Sequence, residues 1–291
     1  MNLRHSLSLT VSSVTLVLKV LIYTTVLFLI AFSLFMAITE PIIESFGEDF
    51  DLIAEIEEDL GALAGQSEGG PLKAFVESNS DDLVRAAVLY VLLFVLIRFG
   101  VAFSLIPTAF VLYNKMSTGF NAGFINSTVA TGGKAALYAL TYTAITVPAD
   151  IVILVIGYFL TSFLGSAIGV AGLAVAILLT FALGAFRLAM TARWAPEMIA
   201  ENLKFRRSAS GFFNNFDWSY VKEIFPSMLM MLIFVSGIIV TTAVSTFGII
   251  PIVVLPLAFV WYTAISAVGY FNFKKRKYYI DERVIDPQNR F

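Results

Sequence analysis

LVRAAVLYVLLFVLIRFGVAFSLIPTAFVL, residues 83–112, is a run of thirty residues that holds two arginines, Arg85 and Arg98, and no acid. An α-helix needs roughly 20 apolar residues to cross the hydrocarbon core of a bilayer, so this segment predicts a spanning helix. Five other stretches read the same way, at 20–38, 135–160, 168–192, 222–246 and 249–271. The expected fold is all-α: a polytopic membrane helix bundle of six transmembrane helices, with the whole of 1–291 as one membrane domain. Composition agrees, since charged residues are 14% of the chain, hydrophobic residues 58% and the mean hydropathy is +0.85. Soluble domains carry about a quarter charged residues, and a water-soluble fold could not cover itself with so few. Cysteine is absent, which excludes disulfides, thiolate metal sites and cysteine nucleophiles.

The two signs of charge are segregated. Residues 40–82 hold thirteen of the 21 acidic residues and a single basic one, Lys73. Within them Ile43, Phe46, Phe50, Ile53, Leu60 and Leu63 recur at helical spacing, and 65–71 is a glycine-rich break. The segment is expected to form an acidic extracytoplasmic helical hairpin between spans one and two. Lys115 and Lys134, then Arg193, Lys204, Arg206, Arg207 and Lys222, then the tail 272–291 with Lys274, Lys275, Arg276 and Lys277, fall in the alternate connections, whereas the turns 161–167 and 245–248 have no basic residue. By the positive-inside rule both termini are expected in the cytoplasm, in a multi-pass protein of the bacterial inner (cytoplasmic) membrane. The Lys274–Lys277 cluster suits anionic lipid headgroups. Membrane lipids and a membrane protein partner are the expected partners. Nucleic acid is not, because a cluster so close to a span is what topology alone demands.

A shift of 89 residues places Arg98 on Arg187, Pro107 on Pro196, and the stretch 123–126 on 212–215. Even spans fall on even spans, so the expectation is a parallel internal repeat, a relation also found between transporter halves. Each copy reads as a span with an arginine, a proline nine residues on, a Phe/Asn-rich loop, and another span. Phe120 and Phe124 in one loop, and Phe205, Phe212, Phe213, Phe216, Trp218 and Tyr220 in the other, favour the headgroup region and predict interfacial helices under the bundle. Pro107, Pro148 and Pro196 are taken as helix-breaking positions.

The stretch Ala195-Pro196-Glu197-Met198-Ile199-Ala200-Glu201, followed by Arg206-Arg207-Ser208 and aromatic residues, resembles six-helix bacterial membrane families. These are the membrane domain attached to some glycerophosphoryl diester phosphodiesterases and the YciC-like proteins. The resemblance covers residues 187–220 and, in weaker form, 98–126. It implies a fold and a topology and carries no activity across.

A charge within hydrocarbon costs at least about 2.5–3.5 kcal/mol, so an ionisable residue at mid-span is a functional candidate. Arg98 and Asp150 sit near the middle of their spans, and Arg187 toward the cytoplasmic end of the fourth. Arginine stays charged and needs an anion, and Asp150 is the acid at comparable depth to Arg98. A buried Arg98–Asp150 pair that orients two helices is the favoured reading, ahead of an anionic-ligand or lipid-headgroup site and of proton-coupled transport. His5 is the one histidine, so neither an H-E-x-x-H zinc site nor a Ser–His pair can be built. The acids at 46–59 lack the spacing of a calcium loop. The functional expectation is a non-enzymatic scaffold or partner subunit with a lipid or anion site in the bundle, without cofactor or metal. The alternative is a secondary transporter or channel component using Asp150.

Overall fold

The structure is a computed structural model that describes residues 2–46, 80–120, 122–204, 206–207, 218–243, 245, 249–280 and 283–289. Most of the expected acidic hairpin and of the second aromatic loop lie outside the described residues. The elements are α1 (Asn2–Val11), α2 (Val14–Phe46), α3 (Ser80–Thr118), α4 (Phe124–Ile168), α5 (Val170–Thr191), α6 (Trp194–Ala200), α7 (Trp218–Ala243) and α8 (Ile249–Phe273). An antiparallel hairpin, β1 (Tyr278–Ile280) with β2 (Arg283–Ile285), and a short 3-10 turn at Pro287–Asn289 follow. Six helices are long and apolar enough to cross a membrane. The chain is an all-α, multi-pass integral membrane protein.

Two compact units divide the chain: Val26–Arg98, and Met1–Thr25 with Phe99–Phe291. In the smaller, α2 and α3 meet at Tyr90, whose hydroxyl is 2.9 Å from Thr39 Oγ1 and whose ring is 5.5 Å from that of Phe35. In the larger, α4 packs on α5, α5 on α7, α7 on α8, and α1 on α8. Alanines 102, 139, 185 and 189 are buried at the centre, and such small side chains let helix backbones approach where apolar burial supplies no drive. Leu140, Leu154, Phe163 and Val240 face outward. In water that surface would be an aggregation hazard; against acyl chains it is ordinary.

Several expectations are corrected. Pro107 and Pro148 do not break helices: each lies inside a continuous one, as do Pro226 and Pro256. A proline removes one backbone hydrogen bond, and membrane helices tolerate that loss because neighbouring groups can compensate. The connection expected at 113–134 is only Gly119 to Gly123, and α4 begins at Phe124, eleven residues before the predicted start. Ser127, Thr128 and Thr131 donate their hydroxyls to the carbonyls of Gly123, Phe124 and Ser127, so their polarity is spent within the helix. Among the described residues, no separate short helix stands between Pro107 and α4. The chain does break after Thr191, and Pro196 sits in the first turn of the short α6, where its missing N–H costs nothing. The local shapes after the two prolines thus differ. The expected turn 161–167 is helical, and within the basic tail 272–291 the strands Tyr278–Ile280 and Arg283–Ile285 pair.

Candidate functional site

Asp150 and Arg187 meet because α4 and α5 form an antiparallel helical hairpin closed by one residue, Gly169, at a left-handed φ of +62°. Asp150 lies nineteen residues before Gly169 (169 − 150) and Arg187 eighteen after it (187 − 169), and positions equidistant from such a turn face each other. Gly157 and Thr180, twelve before and eleven after, obey the same rule: a Cβ on Gly157 would stand 3.0 Å from Thr180.

The Arg187 guanidinium spans two turns of α4. One terminal nitrogen donates to Asp150 Oδ2 at 2.5 Å and the other to the Tyr142 hydroxyl at 3.2 Å. Tyr142, Thr146 and Asp150 form one i, i+4 ridge, so the guanidinium lies across Thr146. The Arg187 side chain is 12% exposed and that of Asp150 30%. Around them Tyr138 stacks on Tyr142 at 5.3 Å, Trp194 meets Tyr142 edge-on at 6.2 Å, and Thr191 Oγ1 is 3.3 Å from the Tyr262 hydroxyl. The buried hydroxyls of Thr143 and Thr146 and the Nε of Arg187 have no hydrogen-bond partner among the described residues. The arrangement holds a permanent cation beside an anion in an aromatic wall, with unspent polar atoms along one helix face.

Sequence reasoning named Arg98 as the partner of Asp150. One cation that the structure brings to this carboxylate is Arg187, which the sequence reading did not pair with it; Arg98 is part-buried on α3. Pro148 lies two residues from both Thr146 and Asp150, off their face of α4 and exposed. Pro107 and Pro196 are buried.

A second ionic cluster escaped the sequence reading. Arg193 donates to Glu197 Oε1 at 2.7 Å, with both side chains nearly buried, and its guanidinium lies 5.2 Å from the Phe273 ring centre. Glu201, one turn on, accepts from Lys274 Nζ at 2.9 Å and from the Tyr270 hydroxyl at 2.8 Å. The Lys274 hydrogen bond, helped by that of Tyr270, holds the Glu201 carboxyl below the usual carboxylate range. The signal was present: 193, 197 and 201 share a helix face.

Of the four basic residues assigned to lipid headgroups, Lys274 is thus engaged by Glu201 and Lys277 by Asp286 at 3.1 Å, while Lys275 and Arg276 are exposed. His5 is held, its Nδ1 2.8 Å from the Tyr278 hydroxyl. Among the described residues, no group of three His, Cys, Asp or Glu is placed to hold a metal ion. No family model matches the chain, and no curated protein or solved structure matches it, so its function is read from its own residues.

Proposed function

We propose that this protein is a non-enzymatic component of the cell membrane, a scaffold or partner subunit with both termini in the cytoplasm. The observation that carries this reading is the Asp150–Arg187 ion pair. Arg187 finds a counter-ion inside the same helical hairpin, so these two charges offset each other and orient α4 on α5. His5 is likewise spent on a tie between the first helix and the last hairpin. A second reading, a transporter or channel component using Asp150, is favoured by the 30% exposure of that side chain and the unspent hydroxyls of Thr143 and Thr146 on the same helix.

Two measurements on the full chain separate them. Extraction in a mild detergent is expected to retain a stoichiometric membrane partner, and liposomes holding the purified protein are expected to show no solute or proton flux that Asp150→Asn removes. Flux lost in Asp150→Asn would overturn the scaffold reading in favour of transport.

A further inference from the structure

A cavity of about 170 Å³ opens where α1 turns into α2, beside the end of α3 and the start of α4. Its lining includes Ser12, Ser13, Thr15, Lys19, Gly123 and Phe124, and no carboxylate is among the residues that line it. These positions fall at the ends of three candidate spans, Val14–Glu40, Val84–Thr118 and Phe124–Ile168, which is the level of a bilayer's phosphates.

Three kinds of donor converge there. Lys19 is half-buried and has no ion-pair partner among the described residues. Ser13 is 93% buried (7% exposed). Its Oγ accepts from Lys115 Nζ at 2.9 Å, and Lys115 also binds the carbonyl and the hydroxyl of Ser12, at 2.7 and 2.8 Å. An oxygen that accepts from an ammonium turns its own proton away from it. The Ser12 proton goes to the Leu9 carbonyl at 3.1 Å, but that of Ser13 meets no acceptor among the described residues. A buried hydroxyl with an unspent proton at the wall of a polar cavity needs an acceptor from outside the chain. The third donor is the start of α4. Gly123 precedes it in an extended conformation with no side-chain cap bond, leaving the first-turn N–H groups of this long helix facing the same space as Lys19.

Unspent donors, one full positive charge and no competing carboxylate select an oxyanion, and the volume admits a phosphate with a small substituent. Phe120 and Ile125, close in sequence to the lining residues Ala122, Gly123 and Phe124, are exposed apolar side chains suited to the acyl boundary that flanks a headgroup. We propose that this cavity is a phosphate-binding site, filled by the headgroup phosphate of an anionic phospholipid such as phosphatidylglycerol. The site is separate from the Asp150–Arg187 pair and stands whichever reading of that pair holds.

The test uses the full chain, purified and stripped of lipid in a neutral detergent. Thermal stability and native mass spectrometry are recorded with phosphatidylglycerol, with phosphatidylcholine, and with inorganic phosphate. Phosphatidylglycerol is expected to bind and stabilise, and phosphatidylcholine not. Lys19→Gln should weaken that binding roughly tenfold, the effect of one charge-assisted contact, and Lys19→Arg should restore most of it. Thr15 is exposed, so Thr15→Asp should fold normally and expel the anion, which keeps the test alive if Lys19→Gln does not fold. Protection by inorganic phosphate equal to that by the lipid, and lost in Thr15→Asp, would keep the phosphate site and replace its source by a soluble anion. Lipid binding unchanged in both Thr15→Asp and Lys19→Gln, or no binding of either phosphate, overturns the proposal.

Discussion

Arg187 makes two directional hydrogen bonds to α4 and sits over the Tyr142 ring at 5.7 Å, so its loss removes a charged partner from Asp150. Deleting one partner of a fully buried pair costs about 3–5 kcal/mol, and the partial exposure of Asp150 brings the expected cost down to about 1.5–3 kcal/mol. Arg187→Met and Asp150→Leu should each lower the thermal midpoint of the purified protein, and the two together should recover much of the loss. Independent, additive losses in that double-mutant cycle would mean that the two side chains are not coupled. The cost of such charges was legible in the sequence, but the contact of Arg187 with Asp150 was not anticipated. Depth was judged by distance from the span ends, which put Arg187 near the cytoplasm. Had Gly169 been read as a one-residue turn, counting outward from it would have matched Arg187 with Asp150.

The hairpin of α4 and α5 also depends on glycines at its close contact. A Cβ on Gly172 would fall 1.9 Å from the backbone oxygen of Leu164, and one on Gly165 would fall 2.9 Å from the Leu173 side chain. A side chain can rotate away, whereas a backbone carbonyl moves only with its helix. Gly172→Ala should therefore destabilise by about 1–3 kcal/mol, the usual range for overpacking. Gly133, in α4, meets nothing within 4 Å, and Gly133→Ala should be neutral or favourable by up to about 1 kcal/mol. Equal thermal shifts for the two variants would show that the tight contact is not what holds the hairpin. Apolar length announced all six spans, yet element ends were misjudged wherever polarity was mistaken for solvation. Ser127, Thr128 and Thr131 looked like loop residues because their back-bonded hydroxyls are invisible in a one-dimensional reading. Helix α1 was missed for the same reason: its Ser6 and Thr10 hydroxyls bond to carbonyls of their own helix. The β-hairpin was hidden by the basic cluster before it, although Tyr278 to Ile280 and Arg283 to Ile285 are strand-forming triplets around a two-residue connection.

At the scale of the whole molecule, α1 is seated on elements from the far end of the sequence. Asn2 lies between Glu223 and Asn272, Ser6 accepts from Trp261 Nε1 at 3.2 Å, and His5 meets Tyr278. Asn2 and Asn272 are both buried, so Asn272→Ala leaves the Asn2 amide short of a partner, at a cost of about 1–3 kcal/mol. Hydrogen exchange should then accelerate across residues 2–11 more than in α5, and uniform protection would show that α1 is held by something else. The same seating has a consequence for biosynthesis. Helix α1 is the first part of the described chain to leave the ribosome, and Trp261, Asn272 and Tyr278 are among the last. Its buried face has nothing to rest against while five spans pass into the bilayer, so the nascent chain must park a polar helix at the membrane surface until the sixth arrives. Docking of α1 therefore waits for the sixth span, so an element made before the spans is among the last to be seated.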